Sequence, residues 1–158
     1  MAALLRCTPA HQVEDPYDLE RFVKAQAPRY AQALAELTAG AKRSHWMWFV
    51  FPQLKGLGSS PTAVAFAIAS LAEARAYLAH PVLGPRLNEC TQCVLALPEC
   101  TAAQVFGHPD DLKFRSCMTL FAYADREGPW RAGLARYFAG EEDPRTRELL
   151  TSAYGTSG

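Results

Sequence analysis

The residues whose types are best suited to chemistry lie between Lys42 and Pro61. Within these twenty positions the chain places two of its three tryptophans, Trp46 and Trp48, together with His45, a Pro-Gln step and a Gly-Leu-Gly-Ser-Ser turn. A core strand uses aromatic side chains, but it needs neither a histidine beside basic residues nor a glycine turn. This mixture is typical of the wall of a ligand pocket. We therefore expect ligand-binding residues here, including the polar side chains of Lys42, Ser44 and Gln53.

The aromatic part of this segment allows two interpretations. If residues 46 to 51 are extended, Trp46 and Trp48 share one face of the strand. They then either fill the core or stack on a planar ligand such as a nucleobase or nicotinamide. His45 would position a ribose hydroxyl or shuttle a proton, although a single histidine also serves as a structural hydrogen-bonding group.

The glycine turn that follows has the composition of an anion site. Gly56 and Gly58 allow a tight turn and a close approach to a ligand, and Ser60 leads into a helix whose first amides attract phosphate. The spacing is not that of a Walker loop, because no Gly-Lys-Ser/Thr ending follows. An ordinary capped turn explains the same residues, so both interpretations stay open.

A second group of candidate residues begins at Asp110. One of Asp110 and Asp111 is expected to cap the following helix, which leaves the other for chemistry. It would act as a general acid or base, or stabilise an oxocarbenium-like sugar, while Lys113 neutralises a phosphate. Ser116 shares the helical face of Lys113. A solvated cap beside a surface lysine explains this spacing equally well.

The elements that position these residues are predicted to be helices. The first pattern opens at Asp15-Pro16, is interrupted at Pro28 and ends at Gly40. Gln26 lies on its apolar stripe, where it is either a core amide or a ligand contact. A longer helix is predicted from Ser60-Pro61, with its apolar stripe at Val64, Ile68, Leu71 and Leu78.

Later helices are predicted to open at Gly128-Pro129 and Asp143-Pro144, and few stretches alternate with period two. The fold class is therefore mainly α: a compact single-domain helical fold with at most one or two short extended segments. We expect an N-terminal arm over residues 1–14, the helical domain over 15–150 and a disordered tail over 151–158.

Charge and composition exclude several function classes. The 16 basic and 16 acidic residues balance, so no overall field attracts nucleic acid or an anionic membrane. No leader, membrane span or metal-ligand cluster is recognisable. We expect a cytoplasmic protein that uses neither a metal nor a cofactor.

These motifs resemble a known family. The run from Lys42 to Gln53, the turn at residues 56–60, residues 106–113 and the run from Ser116 to Phe121 are similar to the bacterial and fungal family known as domain of unknown function 1810. The resemblance covers about residues 15–150, and it implies a compact, mainly helical domain without a settled activity. The chain departs from the family at Cys117, where a second serine is more usual, which leaves Ser116 as the candidate hydroxyl.

The order of the elements is also similar, more distantly, to the NADAR group of helical proteins, which is associated with NAD and ADP-ribose chemistry and includes glycosidases. Our hypothesis is a glycosidase-type hydrolase acting on an ADP-ribosyl or related nucleotide-ribose linkage, with Asp111 as acid/base and Asp110 as its cap or partner. Its partner would be a nucleotide-type small molecule or an ADP-ribosylated macromolecule. The alternatives are a non-catalytic sensor of an ADP-ribose or NAD-like ligand and a protein-interaction module with an aromatic patch.

Overall fold

The computed structural model describes residues 14–155, with side chains over residues 14–152. The described residues form ten helices, numbered α1 to α10 in chain order: Glu20–Gln26, Tyr30–Ala39, Met47–Val50, Pro61–Ala65, Leu71–Ala79, Leu83–Leu95, Ala102–Phe106, Asp110–Ala124, Trp130–Phe138 and Pro144–Gly155. The mainly helical fold class is therefore confirmed. None of these helices is long and apolar enough to cross a membrane.

The structure describes the C-terminal boundary of the predicted domain, but not most of the chain before its N-terminal boundary. Helix α10 continues to Gly155, so the fold extends past the boundary predicted at residue 150, and the predicted tail begins inside a helix. Residues 156–158 lie outside the described range, as do residues 1–13 of the predicted N-terminal arm.

Local capping chemistry sets the helix ends that the sequence predicts. Asp15 accepts hydrogen bonds from the amides of Leu19 and Glu20 at 2.8 and 2.9 Å, so it holds the entry to α1 although the helix itself begins at Glu20. Helix α2 ends at Gly40, whose φ of +72° is a left-handed conformation that glycine adopts without strain. Ser60 caps α4 through its side chain.

The segment from residue 46 to 51 is not extended, so the interpretation that depended on an extended strand does not hold. Helix α3 makes one helical turn there, and Trp46 and Trp48 do not share a face: Trp46 is buried in the core, whereas Trp48 is half-buried. The prediction failed because four residues are too few to show a helical period among aromatic side chains.

The long helix predicted after Ser60 is also wrong. Helix α4 ends at Ala65, and Ser70 starts α5 by accepting a hydrogen bond from the amide of Glu73 at 3.1 Å. Between the two helices, Ile68 is extended and pairs with Leu54 in an isolated parallel β-bridge. This bridge fixes the chain just after Gln53, because the Ile68 amide donates to the Gln53 carbonyl at 2.8 Å.

Helix α8 is the central helix of the core and packs against α5, α7, α9 and α10. Its Phe114 side chain is fully buried among four aromatic rings, with centroids 4.7 to 6.1 Å away, at Phe51, Phe106, Tyr137 and Phe138. Burying this ring fixes the rotation of α8 about its axis. The first turn of α8, which carries Asp110 and Lys113, is therefore held in one orientation at the surface.

Candidate functional site

Glu36 organises the loop that carries the first group of predicted residues. Its carboxylate, on α2, accepts hydrogen bonds from the amides of Arg43 and Ser44 at 2.8 and 3.0 Å, from the Ser44 hydroxyl at 2.7 Å and from the Trp46 indole at 2.8 Å. Burial by itself would raise the pKa of Glu36, but these donors outweigh it and lower the pKa to about 2. The polar groups of Ser44 and Trp46 are thus occupied inside the fold.

Lys42 links this loop to the first turn of α8. Its ammonium lies 2.8 Å from one carboxylate oxygen of Asp110, and the ammonium of Lys113 lies 2.9 Å from the other. Burial alone would raise the pKa of Asp110, but the two lysines outweigh it and lower the pKa. Asp110 is therefore an ionised carboxylate held between two cations.

Neither aspartate is the N-cap of α8, contrary to the prediction. Pro109 occupies that position, and Asp110 and Asp111 lie in the first turn, where a carboxylate interacts favourably with the helix macrodipole. Asp111 pairs with the Nδ1 atom of His108 at 3.0 Å. Successive helical residues are about 100° apart, so Asp111 points about 200° away from Lys113.

A cavity of about 250 Å³ lies beside the first two turns of α8. Four predicted site residues line it: Trp48, Gln53, Lys113 and Ser116. Five residues that were not predicted complete its wall: Leu57, Pro109, Leu112, Asp143 and Arg145. The wall combines aromatic, amide, hydroxyl and charged groups, and neither Asp110 nor Asp111 forms part of it.

Gln53 brings an unpartnered amide to this cavity. Its side chain is 8% exposed, and its NH₂ group is buried with no hydrogen-bond partner among the described residues. Gln26 differs, since its amide donates to the Phe49 carbonyl and the Tyr77 hydroxyl at 2.7 and 3.0 Å and accepts from Arg86 at 3.3 Å. Gln26 is thus a satisfied core amide away from the cavity, whereas Gln53 has an unused donor.

Trp48 and Lys113 form a cation–π pair within the cavity wall. The Lys113 ammonium lies 4.0 Å from the centroid of the indole ring. The glycine turn packs against the same indole, because a Cβ atom on Gly58 would lie 3.4 Å from the ring and 2.7 Å from the Cβ of Ala63. Only a residue without a side chain allows the turn this close an approach.

The other residues predicted for a phosphate or ribose do not reach the cavity. The Ser60 hydroxyl oxygen is occupied by the Ala63 amide at 3.1 Å, and Gly56 adopts a φ of +103° at the turn. Neither residue lines the cavity, and Gly58 touches it only through its packing on Trp48. His45 is exposed and lies outside the lining as well.

Asp143 is a buried carboxylate of the cavity wall that the sequence marked only as a helix start. Its Oδ2 atom accepts hydrogen bonds from the amide and hydroxyl of Thr146 at 2.8 and 2.6 Å, which caps α10. Its Oδ1 atom lies 3.5 Å from Arg115. The capping signal is local and visible in the sequence, but the approach of this residue to α8 is not.

A larger cavity of about 690 Å³ is less suited to a ligand. Its lining includes Arg115, Tyr123, Glu142 and Arg147, and none of the predicted site residues. Glu142 accepts from the Tyr123 hydroxyl at 2.9 Å and lies 3.8 Å from Arg147, and Arg115 pairs with Asp143. Because none of the predicted site residues lines it, we favour the smaller cavity as the candidate site.

The aromatic residues of the first motif are in three different environments. Trp46 is buried, Trp48 lines the cavity, and Phe49 packs against Phe66 with ring centroids 5.5 Å apart. These side chains do not form an exposed patch.

Fold and site together define a mainly helical protein with a small polar cavity at the start of its central helix. The chain belongs to the family described as a protein of unknown function (DUF1810), whose profile matches residues 16–150. It is similar to the conserved hypothetical protein Rv1873 from Mycobacterium tuberculosis, whose crystal structure matches with a TM-score of 0.86 and 57% sequence identity, over 87% of this chain and 99% of that chain. No curated protein matches. The family resemblance is thereby confirmed, while the more distant similarity to the NADAR group is not among these findings.

Proposed function

We propose that the protein binds a nucleotide-type small molecule, of the ADP-ribose or NAD class, in the cavity beside α8. The observation that supports this most directly is the unpartnered amide of Gln53. Leaving a buried donor without an acceptor costs about 1–3 kcal/mol, and folded proteins contain few such groups. An oxygen of a bound ligand would supply the missing acceptor once the buried NH₂ group turns towards the cavity.

The charges and size of the cavity support the same class of ligand. Lys113 and Arg145 offer cationic donors that suit a phosphate. The volume of about 250 Å³ is below the roughly 300–1,000 Å³ of pockets that enclose whole drug-sized ligands. One part of a nucleotide would therefore enter the cavity, and the rest would lie over the rim at Leu57 and Leu112.

A glycosidase-type hydrolase is the second candidate, and the observation that favours it is the carboxylate of Asp143 in the wall. Hydrolysis at a ribose anomeric carbon needs a carboxylate facing the developing oxocarbenium ion. Asp143 and Ser116 both line the cavity. Asp143 lines the cavity, whereas Asp110 and Asp111 do not, so we favour Asp143 for this role over the two aspartates singled out by the sequence, although its carboxylate also contacts Thr146 and Arg115.

Binding is tested by thermal unfolding of the purified protein with ADP-ribose, NAD and AMP. A ligand at 100 times its Kd stabilises the folded state by about 2.7 kcal/mol, which corresponds to a rise of about 5–10 °C in Tm for a chain of this size. Gln53→Met should remove most of this rise. If none of the three nucleotides raises the Tm, the proposal is wrong.

Hydrolysis is tested by product release from ADP-ribosylated protein with wild type, Asp143→Asn and Asp111→Asn. If the protein is a hydrolase that uses Asp143, Asp143→Asn should lose turnover but still be stabilised by ADP-ribose, and Asp111→Asn should keep its turnover. Loss of turnover in Asp111→Asn alone would instead support the role predicted from the sequence. Stabilisation by ADP-ribose without product from any form would limit the function to ligand binding.

A further inference from the structure

We infer that the cavity takes the phosphorylated sugar of its ligand and leaves the base outside. The inference rests on the proposed function and concerns which part of a nucleotide is recognised. The sequence suggested that a base stacks on Trp48 while Lys113 holds a phosphate. In the structure these two side chains are in contact, with the ammonium 4.0 Å from the indole centroid.

Lys113 is held on the indole by a second contact. Its ammonium lies 2.9 Å from Asp110, whose other oxygen is held by Lys42 at 2.8 Å, and the Lys42 side chain is itself 8% exposed. A base stacking on this face of Trp48 would have to displace Lys113 from both the ring and the carboxylate. A phosphate would instead meet the ammonium where it already stands.

The remaining polar groups of the wall match the hydroxyls of a sugar. A hydroxyl both donates and accepts, so it can accept from the unpartnered NH₂ of Gln53 and donate to an oxygen. Two residues of the wall carry such oxygens: Asp143, whose carboxylate also contacts Thr146 and Arg115, and Ser116, whose hydroxyl donates its own proton to the Leu112 carbonyl at 3.0 Å.

The size of the cavity agrees with this division of the ligand. A volume of about 250 Å³ suits one phosphorylated pentose better than a whole dinucleotide. The base would then lie against the exposed side chain of Leu112 at the rim, where contact is apolar and unspecific. We therefore expect recognition to depend on the phosphate and the sugar and to vary little with the base.

The test is isothermal titration of the full chain with ribose 5-phosphate, AMP, adenosine and ribose. Ribose 5-phosphate and AMP should bind with similar affinity, and adenosine and ribose at least tenfold more weakly. Lys113→Met should weaken the binding of ribose 5-phosphate roughly ten- to a hundredfold, because a charged hydrogen bond to the phosphate is lost. The same variant should strengthen adenosine binding, because it uncovers the ring of Trp48. Lys24→Met, an exposed lysine on α1, is the matched control and should change neither affinity.

The outcomes separate this inference from the proposed function. If adenosine binds the wild type more tightly than ribose 5-phosphate, the base occupies the cavity and the inference is overturned, while nucleotide binding itself stands. If none of the four compounds binds, both are overturned. The wild-type ranking needs no variant, so it decides the question even if Lys113→Met fails to fold.

Discussion

Replacing Gln53 by methionine should stabilise the ligand-free protein, which is unusual for a change at a buried polar residue. The NH₂ group of Gln53 is buried without a partner, and methionine keeps the length of the side chain while removing the amide. An unsatisfied buried donor costs about 1–3 kcal/mol. We expect a gain of about 1 kcal/mol, because the methionine fits the cavity wall imperfectly, and a rise of about 2–4 °C in Tm.

Gln26→Met is the matched control. Gln26 is 1% exposed and Gln53 is 8% exposed, so both substitutions bury a similar apolar surface. The amide of Gln26 makes three hydrogen bonds, to Phe49, Tyr77 and Arg86. Its loss leaves those partners unsatisfied, so we expect a destabilisation of about 2–3 kcal/mol and a fall of several degrees in Tm.

The assay is urea and thermal unfolding of both variants and wild type without added ligand, followed by the same melts with ADP-ribose. A stabilisation by Gln53→Met together with a destabilisation by Gln26→Met would support the finding that the Gln53 amide lacks a partner and the Gln26 amide has its partners. If Gln53→Met destabilises the protein as much as Gln26→Met does, the Gln53 amide is satisfied in solution. The principal support for a ligand in this cavity would then be gone.

The other predictions concern the carboxylates that anchor the site. Glu36→Gln should destabilise the fold by about 2–3 kcal/mol in urea unfolding, since the charged acceptor of five hydrogen bonds is lost. The pKa of Glu36 falls from 4.5 to about 2 on folding, so its stabilisation is fully present above pH 4.5 and is lost as the pH falls towards 2. The stability gap between wild type and Glu36→Gln should therefore narrow over that interval, and a constant gap would contradict the lowered pKa. Lys42→Met should lower the free energy of unfolding by about 2 kcal/mol, because Asp110 is left with Lys113 as its partner. An unchanged urea midpoint would show that the ion pair between Lys42 and Asp110 contributes nothing to stability.

The parts of the fold that the sequence predicts correctly are those set by neighbouring residues. Asp15, Ser60 and Gly40 act on amides or carbonyls within five positions of themselves, so their roles follow from local spacing. The aromatic segment behaves differently, because its Trp46 indole is fixed by Glu36 ten residues earlier. On the sequence Glu36 resembles an ordinary polar residue of a surface helix. Nothing in its local pattern indicates that it is buried or that it holds a loop.

The candidate site also contains residues that the local sequence identifies and a residue that only the tertiary fold brings in. Trp48, Gln53, Lys113 and Ser116 could be selected from their types and motifs, and the fold brings these four to one cavity. Asp143 could not be selected, because its local role as the cap of α10 fully explains its presence next to a proline. Its place in the wall depends on how α10 packs against α8, which is a tertiary contact between residues far apart in the chain.

Residue type alone does not decide which polar group is available to a ligand, because availability depends on whether the fold has already supplied a partner. Glu36 and Asp110 are as suited to binding as any carboxylate, yet Glu36 already accepts from five donors and Asp110 lies between two lysines. The two glutamines of the candidate set have identical chemistry, and only Gln53 has a donor left over. A buried donor without an acceptor is unfavourable in the free protein, and a ligand that provides the acceptor would relieve that cost. The lost stability of the free protein then becomes selectivity for ligands that carry an oxygen at that position.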